Sequence, residues 1–157
     1  MKFLYSLFAL QIIASLCMAQ VKLDGLLCEN RTNPLGMDVA HPRFSWKLVA
    51  DKRNEMQTVY QIQVSEKESF GSPVWDSGKI LSDSSVFITY KGKPLQSGKK
   101  YYWRVRIWDN AGKTSGWSNA WWQTALFNET DWKAQWITPG YTEDTVNRPS
   151  PLMRKQF

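Results

Sequence analysis

Few residues in this chain could do chemistry, and none falls in a pattern that a reaction requires. The one histidine, His41, sits between Ala40 and Pro42. A lone imidazole beside a proline reads as a loop residue, because a general base needs a second group to orient it. Cys17 and Cys28 have no histidine or carboxylate at metal-ligand spacing. No glycine-rich loop could cradle a phosphate, and there is no nucleophile elbow. Paired carboxylates would serve acetal hydrolysis, one as acid and one as base. The candidates are Glu55, Glu66, Glu68, Asp76 and Asp83. They fall on expected loops or strand ends, where spacing alone does not pair them, and they read as solvated surface acids. No catalytic residue, metal ligand or cofactor site is assigned.

Rings are the other chemically informative group. Nine Trp, six Tyr and seven Phe make up 14% of 157 residues. Exposed rings can stack on sugars, whereas buried rings build a core. The elements that carry them decide which applies. In Pro42–Leu48, Phe44, Trp46 and Leu48 alternate with Arg43, Ser45 and Lys47. Gln57–Val64 sets Tyr60, Ile62 and Val64 against Gln61 and Gln63. Val21–Cys28, Val74–Ile80, Ser85–Tyr90, Lys100–Asp109 and Ser118–Leu126 complete seven expected strands. Turn chemistry separates them, as in Asn33-Pro34-Leu35-Gly36 and Asp109-Asn110-Ala111-Gly112. Short alternating strands at regular spacing predict an all-β antiparallel sandwich over residues 20–127.

Lys100–Asp109 sorts the rings most clearly. Tyr101, Trp103, Val105 and Ile107 share an inward face, and Tyr102, Arg104, Arg106 and Trp108 share the outward one. Leu95 precedes Tyr101 by six residues, the spacing of a tyrosine corner. Leu95 would plug the core while the Tyr101 hydroxyl bonds back to the corner backbone. Together with the strand pattern, this identifies a fibronectin type III or immunoglobulin-like sandwich. Trp46, Trp103 and Trp75 are expected inside. The stripe Tyr102, Arg104, Arg106 and Trp108 is either a sugar-binding face or a face covered by a neighbouring domain, and coverage is favoured.

Lys2 followed by the apolar stretch Phe3–Leu16 and the small residues around Ala19 predicts a signal peptide over residues 1–19. The stretch is shorter than the roughly 20 apolar residues that a bilayer span needs. A secreted or periplasmic location follows. A lipid-modification site at Cys17 is the competing reading, which the bulk of Leu16 disfavours. Cleavage would leave Cys28 alone, so no internal disulfide is expected. The net charge of +6 comes from scattered Lys and Arg, without the clusters that nucleic-acid binding requires. Composition shifts after Leu126. Residues 128–157 read as a linker and then the opening strand, Pro151–Phe157, of a second β domain.

A family resemblance accounts for the order of these motifs. Asn33-Pro34-Leu35-Gly36, Pro42–Trp46, Gln57–Ile62, Trp75–Lys79, Tyr102–Val105, Asp131–Ile137 and Pro151–Phe157 together resemble the N-terminal region of bacterial α-L-rhamnosidases of glycoside hydrolase family 78. The resemblance implies a secreted inverting hydrolase that releases terminal α-L-rhamnose, with its acid and base on a downstream helical barrel. No position here corresponds to that barrel, so no catalytic role transfers. The chain is then expected to be the leading, non-catalytic sandwich, kept by a truncated product or a gene fragment. Its expected partners are the downstream domains and rhamnose-containing glycans. Two alternatives stay open: a stand-alone carbohydrate-binding module using Tyr102, Trp108 and Trp121 or Trp122, and a cell-surface interaction module of fibronectin type.

Overall fold

The computed structural model describes residues 21–135 together with residues 140, 142, 144, 146, 147 and 150. The expected signal peptide and the segment Pro151–Phe157 lie outside the described residues. Eight strands follow one another: β1 Lys22–Cys28, β2 Arg43–Val49, β3 Gln57–Ser65, β4 Trp75–Asp76, β5 Ile80–Leu81, β6 Ile88–Thr89, β7 Lys100–Asp109 and β8 Ser118–Gln123. One sheet has the order β1-β2-β6, and the other β4-β3-β7-β8, with β5 also paired to β3. Every strand pair is antiparallel. The fold is the expected β-sandwich.

Alternation along the strands fills the space between the sheets with rings, because successive side chains on a strand point to opposite faces. Phe44 and Trp46 from β2 meet Tyr60, Ile62 and Val64 from β3 and Tyr101, Trp103, Val105 and Ile107 from β7, all buried. The Phe44 ring lies 4.5 Å from Trp103 and 5.4 Å from Trp122, between centroids. Offset and tilted contacts of this kind add to the burial of large apolar surfaces. Trp46 donates its indole N–H to Gln57 Oε1 at 2.9 Å, and Gln57 donates in turn to the carbonyl oxygens of Ser82 and Ser84. Its polar edge is thereby satisfied inside an apolar layer. Cys28 is a buried free thiol, and desolvation with the nearby Glu29 charge pushes its pKa up to about 12.

The tyrosine corner forms as the spacing predicts. Tyr101 is buried, and its hydroxyl accepts the backbone N–H of Gln96 at 2.9 Å. Leu95 packs, partly buried, against the core. Thr124 adds a second clasp, donating its hydroxyl to the Gln96 carbonyl at 2.6 Å.

Three expected strands are shorter or broken, Ser118–Leu126 ending at Gln123 as β8. Val74–Ile80 becomes the separate strands β4 and β5, because Gly78 at φ 62° turns the chain between them. Ser77 bridges the break: its N–H donates to the Ile62 carbonyl, and its Oγ accepts the Ile62 N–H. Ser85–Tyr90 shrinks to β6 because Phe87 adopts φ 55° and gives its N–H to Ser45 Oγ rather than to a ladder. Both interruptions fall on sheet edges, where pairing is lost at least cost.

Candidate interaction face

The outer face of the β4-β3-β7-β8 sheet gathers the outward residues of β7. Tyr102, Arg104, Arg106 and Trp108 are half-buried and alternate with the fully inward residues, as expected. Register then sets their neighbours. Arg104 stands opposite Gln63 on β3 and Asn119 on β8, and Arg106 stands opposite Gln61. Tyr102 faces Trp121 across the ladder, whereas Tyr101 faces Trp122.

That pairing corrects one expectation. Trp121 lies outward, but Trp122 is completely buried and stacks on Tyr101 at 5.3 Å. Adjacent residues on a strand point to opposite faces, so the two tryptophans cannot share a sugar platform. Trp122 is core.

Cations and rings alternate across this face in a row from Phe70 to Lys79, with a separate cluster around Lys100. The Arg104 guanidinium carbon lies 4.3 Å from the Phe70 ring centre and 4.4 Å from that of Trp117. Arg106 is 4.5 Å from Trp117 and 4.9 Å from Trp108, and the Lys79 ammonium closes the row 4.4 Å from Trp108. At the other end Lys100 sits 4.1 Å from Trp121 and 5.1 Å from Tyr102. Each contact sets a cation against the negative face of a ring. Phe70, Lys79 and Trp117 come from loops and Lys100 from the start of β7, so strand periodicity did not reveal them. A loop ring reaches a strand cation only once the chain has folded.

A hydrogen-bonded layer fixes the arginines from below. Arg104 Nε donates to Gln63 Oε1 at 2.8 Å, and Arg106 donates to Gln61 Oε1 through Nε and Nη2. Both glutamines pass their amide protons to Asp76, at 2.8 Å from Gln61 and 2.6 Å from Gln63. Burial raises the Asp76 pKa, but these amides, the Gly78 N–H and the Arg106 charge outweigh it and leave it lowered. Arg104 shifts down through desolvation first and the neighbouring Arg106 charge second. Asp76 is thus a buttress for two cations.

Among the remaining sequence candidates, Glu66 pairs with Lys99 at 2.9 Å at the surface, Glu68, Asp83 and His41 are exposed, and Glu55 is half-buried. The cleft where the sheets part is lined by Tyr60, Trp75, Ile80 and Phe87 and has Asp76 as its carboxylate. Among the described residues no cluster of His, Cys, Asp and Glu could hold a metal ion.

Residues 23–128 match the model of the Rha78A-like, N-terminal immunoglobulin domain. The chain belongs to this family. The chain is 44% identical over 108 residues to an α-L-rhamnosidase of Streptomyces avermitilis, covering 67% of this chain and 10% of that protein. It is 33% identical over 156 residues to an α-L-rhamnosidase of Formosa agariphila, covering 92% of this chain and 16% of the relative. In three dimensions it superposes on the Streptomyces avermitilis enzyme solved with L-rhamnose, with a TM-score of 0.71 and 39% identity, over 75% of this chain and 12% of that one. The enzyme of Dictyoglumus thermophilum gives 0.68 and 46%, over 74% and 14%. The chain therefore spans only a small part of the length of the relatives it matches.

Proposed function

We propose that this chain is the non-catalytic leading β-sandwich of a secreted α-L-rhamnosidase. The observation that carries the reading is the match of residues 23–128 to a domain that stands N-terminal in such enzymes, within relatives of which the chain covers 10% and 16%. The acids support it: Asp76 is held by two glutamines and Glu66 by Lys99, which suits structural rather than reacting groups. Export is supported by the leader pattern of residues 1–19. In this role the sandwich packs on and positions the domains that follow, and hydrolysis of terminal α-L-rhamnose belongs to those domains. The stacked cations make a stand-alone sugar platform the weaker reading, because the rings at the centre of the face are already occupied.

The test is a replacement. The segment of the Formosa agariphila enzyme that matches this chain is exchanged for the chain itself. The fusion is expected to hydrolyse an aryl α-L-rhamnoside at a rate near that of the parent, whereas the enzyme with the segment deleted should be insoluble or inactive. A soluble fusion without activity would sink the reading.

A further inference from the structure

The stacked face carries a charge that the domain does not balance. Lys79, Lys100, Arg104 and Arg106 stand on it with the carboxylate of Asp76, which hydrogen-bonds to Gln61 and Gln63 and faces the arginines across that layer. The ion pairs Arg43–Glu29 and Lys99–Glu66, both within 4.0 Å, include none of these four cations. Half-buried guanidiniums held by stacking and by glutamine are preorganised for a planar anion, because little rotamer freedom remains to be lost. Arg104 uses Nε internally and keeps both terminal nitrogens to offer. Trp, Tyr and Arg are also the side chains that dominate protein interfaces.

The geometry also indicates what covers the face. Trp117 already holds Arg104 and Arg106, and Trp108 holds Arg106 and Lys79, so the ring faces turned to these cations are closed to a sugar. The chain leaves the sandwich beside one end of this face. Ser97 donates its hydroxyl to Asp131 Oδ2 at 2.5 Å and accepts the Phe127 N–H at 3.0 Å, and β7 begins at Lys100 three residues on. Asp131 is thus held at the corner that leads into Lys100 and β7, and a domain joined to it stays near this face at high effective concentration.

Resting on the reading of this chain as a leading module, we propose that the face of Tyr102, Arg104, Arg106, Trp108, Lys79 and Lys100 docks a carboxylate-bearing surface of the domain that follows. Asp and Glu side chains of that domain fork onto Arg104 and Arg106, and its apolar rim packs on the edges of Tyr102 and Trp121. Acetylation of lysines, followed by mass spectrometry, tests this without mutation. Rates at Lys79 and Lys100 are compared between the isolated 157-residue chain and the Formosa agariphila fusion described above, with Lys22 and Lys52 as controls. Docking for about 90% of the time slows labelling at Lys79 and Lys100 about tenfold and leaves the controls unchanged. The protection is expected to weaken at about 0.5 M salt, where exposed charge pairs are screened. An active fusion with equal rates at all four lysines overturns the docking and leaves the module reading standing. An inactive fusion with equal rates overturns both. Protection of the isolated chain by polygalacturonate, with none in the fusion, would give the face to an acidic glycan and also overturn the proposal.

Discussion

Two tyrosines next to each other on β7 separate a buried hydroxyl from a surface one. Tyr101 accepts the Gln96 N–H inside the corner, whereas the Tyr102 ring lies outward beneath Lys100. Tyr101→Phe keeps the ring and orphans that N–H, so a loss of about 1–3 kcal/mol is expected in denaturant unfolding. Tyr102→Phe should stay within about 0.5 kcal/mol of the parent. Equal losses would mean that the corner bond contributes nothing. Glu29 makes a second separable contribution, joining the end of β1 to the start of β2. Its Oε1 accepts the Arg43 N–H at 2.7 Å, and its Oε2 accepts Arg43 Nη2 at 2.6 Å. Hydrogen bonding from the Arg43 side chain holds its pKa below the ordinary glutamate value against a smaller desolvation effect. A lowered folded-state pKa gives stability that is present above the unfolded value and lost as pH falls through the folded one. Between about pH 5 and pH 3 the melting temperature should fall less steeply for Glu29→Gln than for the parent. Parallel curves would show that the Arg43 pair does not couple folding to pH.

At the scale of elements, the edge of the sandwich depends on two glycines for different reasons. Gly78 turns the chain between β4 and β5 at φ 62°, and a Cβ there would meet nothing within 4 Å. Gly78→Ala therefore costs conformation alone, about 1 kcal/mol. Gly92 follows β6, and a Cβ there would lie 2.6 Å from Trp75 Cβ and press on the Tyr90 ring. That ring cannot swing away freely, because its hydroxyl donates to the Lys93 carbonyl at 2.7 Å. Gly92→Ala should cost about 3 kcal/mol, the upper range for overpacking. If chemical denaturation ranks Gly78→Ala as the worse, the packing of Trp75 and Tyr90 is not as described. The same contrast explains what could be read from the chain before folding. Period-two alternation placed Phe44, Trp46, Ile62, Trp103 and Ile107 inside, since local geometry alone sends alternate side chains to one face. The splitting of the edge strand was hidden, because it depends on Ser77 and Ser45 accepting strand N–H groups from across the fold. The four β7 residues of the outer face were legible for the same reason as the core. Phe70 and Trp117 were not, since no sequence period links a loop ring to a strand arginine.

For the whole molecule, the arrangement of charge bears on whether a 157-residue chain of this family could hydrolyse a glycoside by itself. Inverting hydrolysis sets an acid and a base on opposite sides of the sugar, about 6.5–9.5 Å apart, with room for a water between them. The acid must also hold its proton near neutral pH, which requires a site that raises its pKa. Among the described carboxylates whose pKa departs from the ordinary value, Glu29, Asp76, Asp131 and Asp144 all shift downward. Hydrogen bonds from Arg43 hold Glu29 and those from Ser97 hold Asp131, while at Asp76 and Asp144 amides favour the charged form. Each of these carboxylates is thereby set to anchor backbone or cations rather than to donate a proton. Between the sheets, where burial could raise a pKa, Phe44, Trp103, Tyr101 and Trp122 pack ring against ring. Purified chain is therefore expected to leave an aryl α-L-rhamnoside intact at every pH from about 4 to 9, the range over which an acid–base pair would show its bell-shaped profile. Single-turnover assays at high protein concentration check this against a buffer blank. Turnover above the blank that disappears on Asp76→Asn, with the melting temperature unchanged, would make the chain an enzyme in its own right and Asp76 more than a buttress.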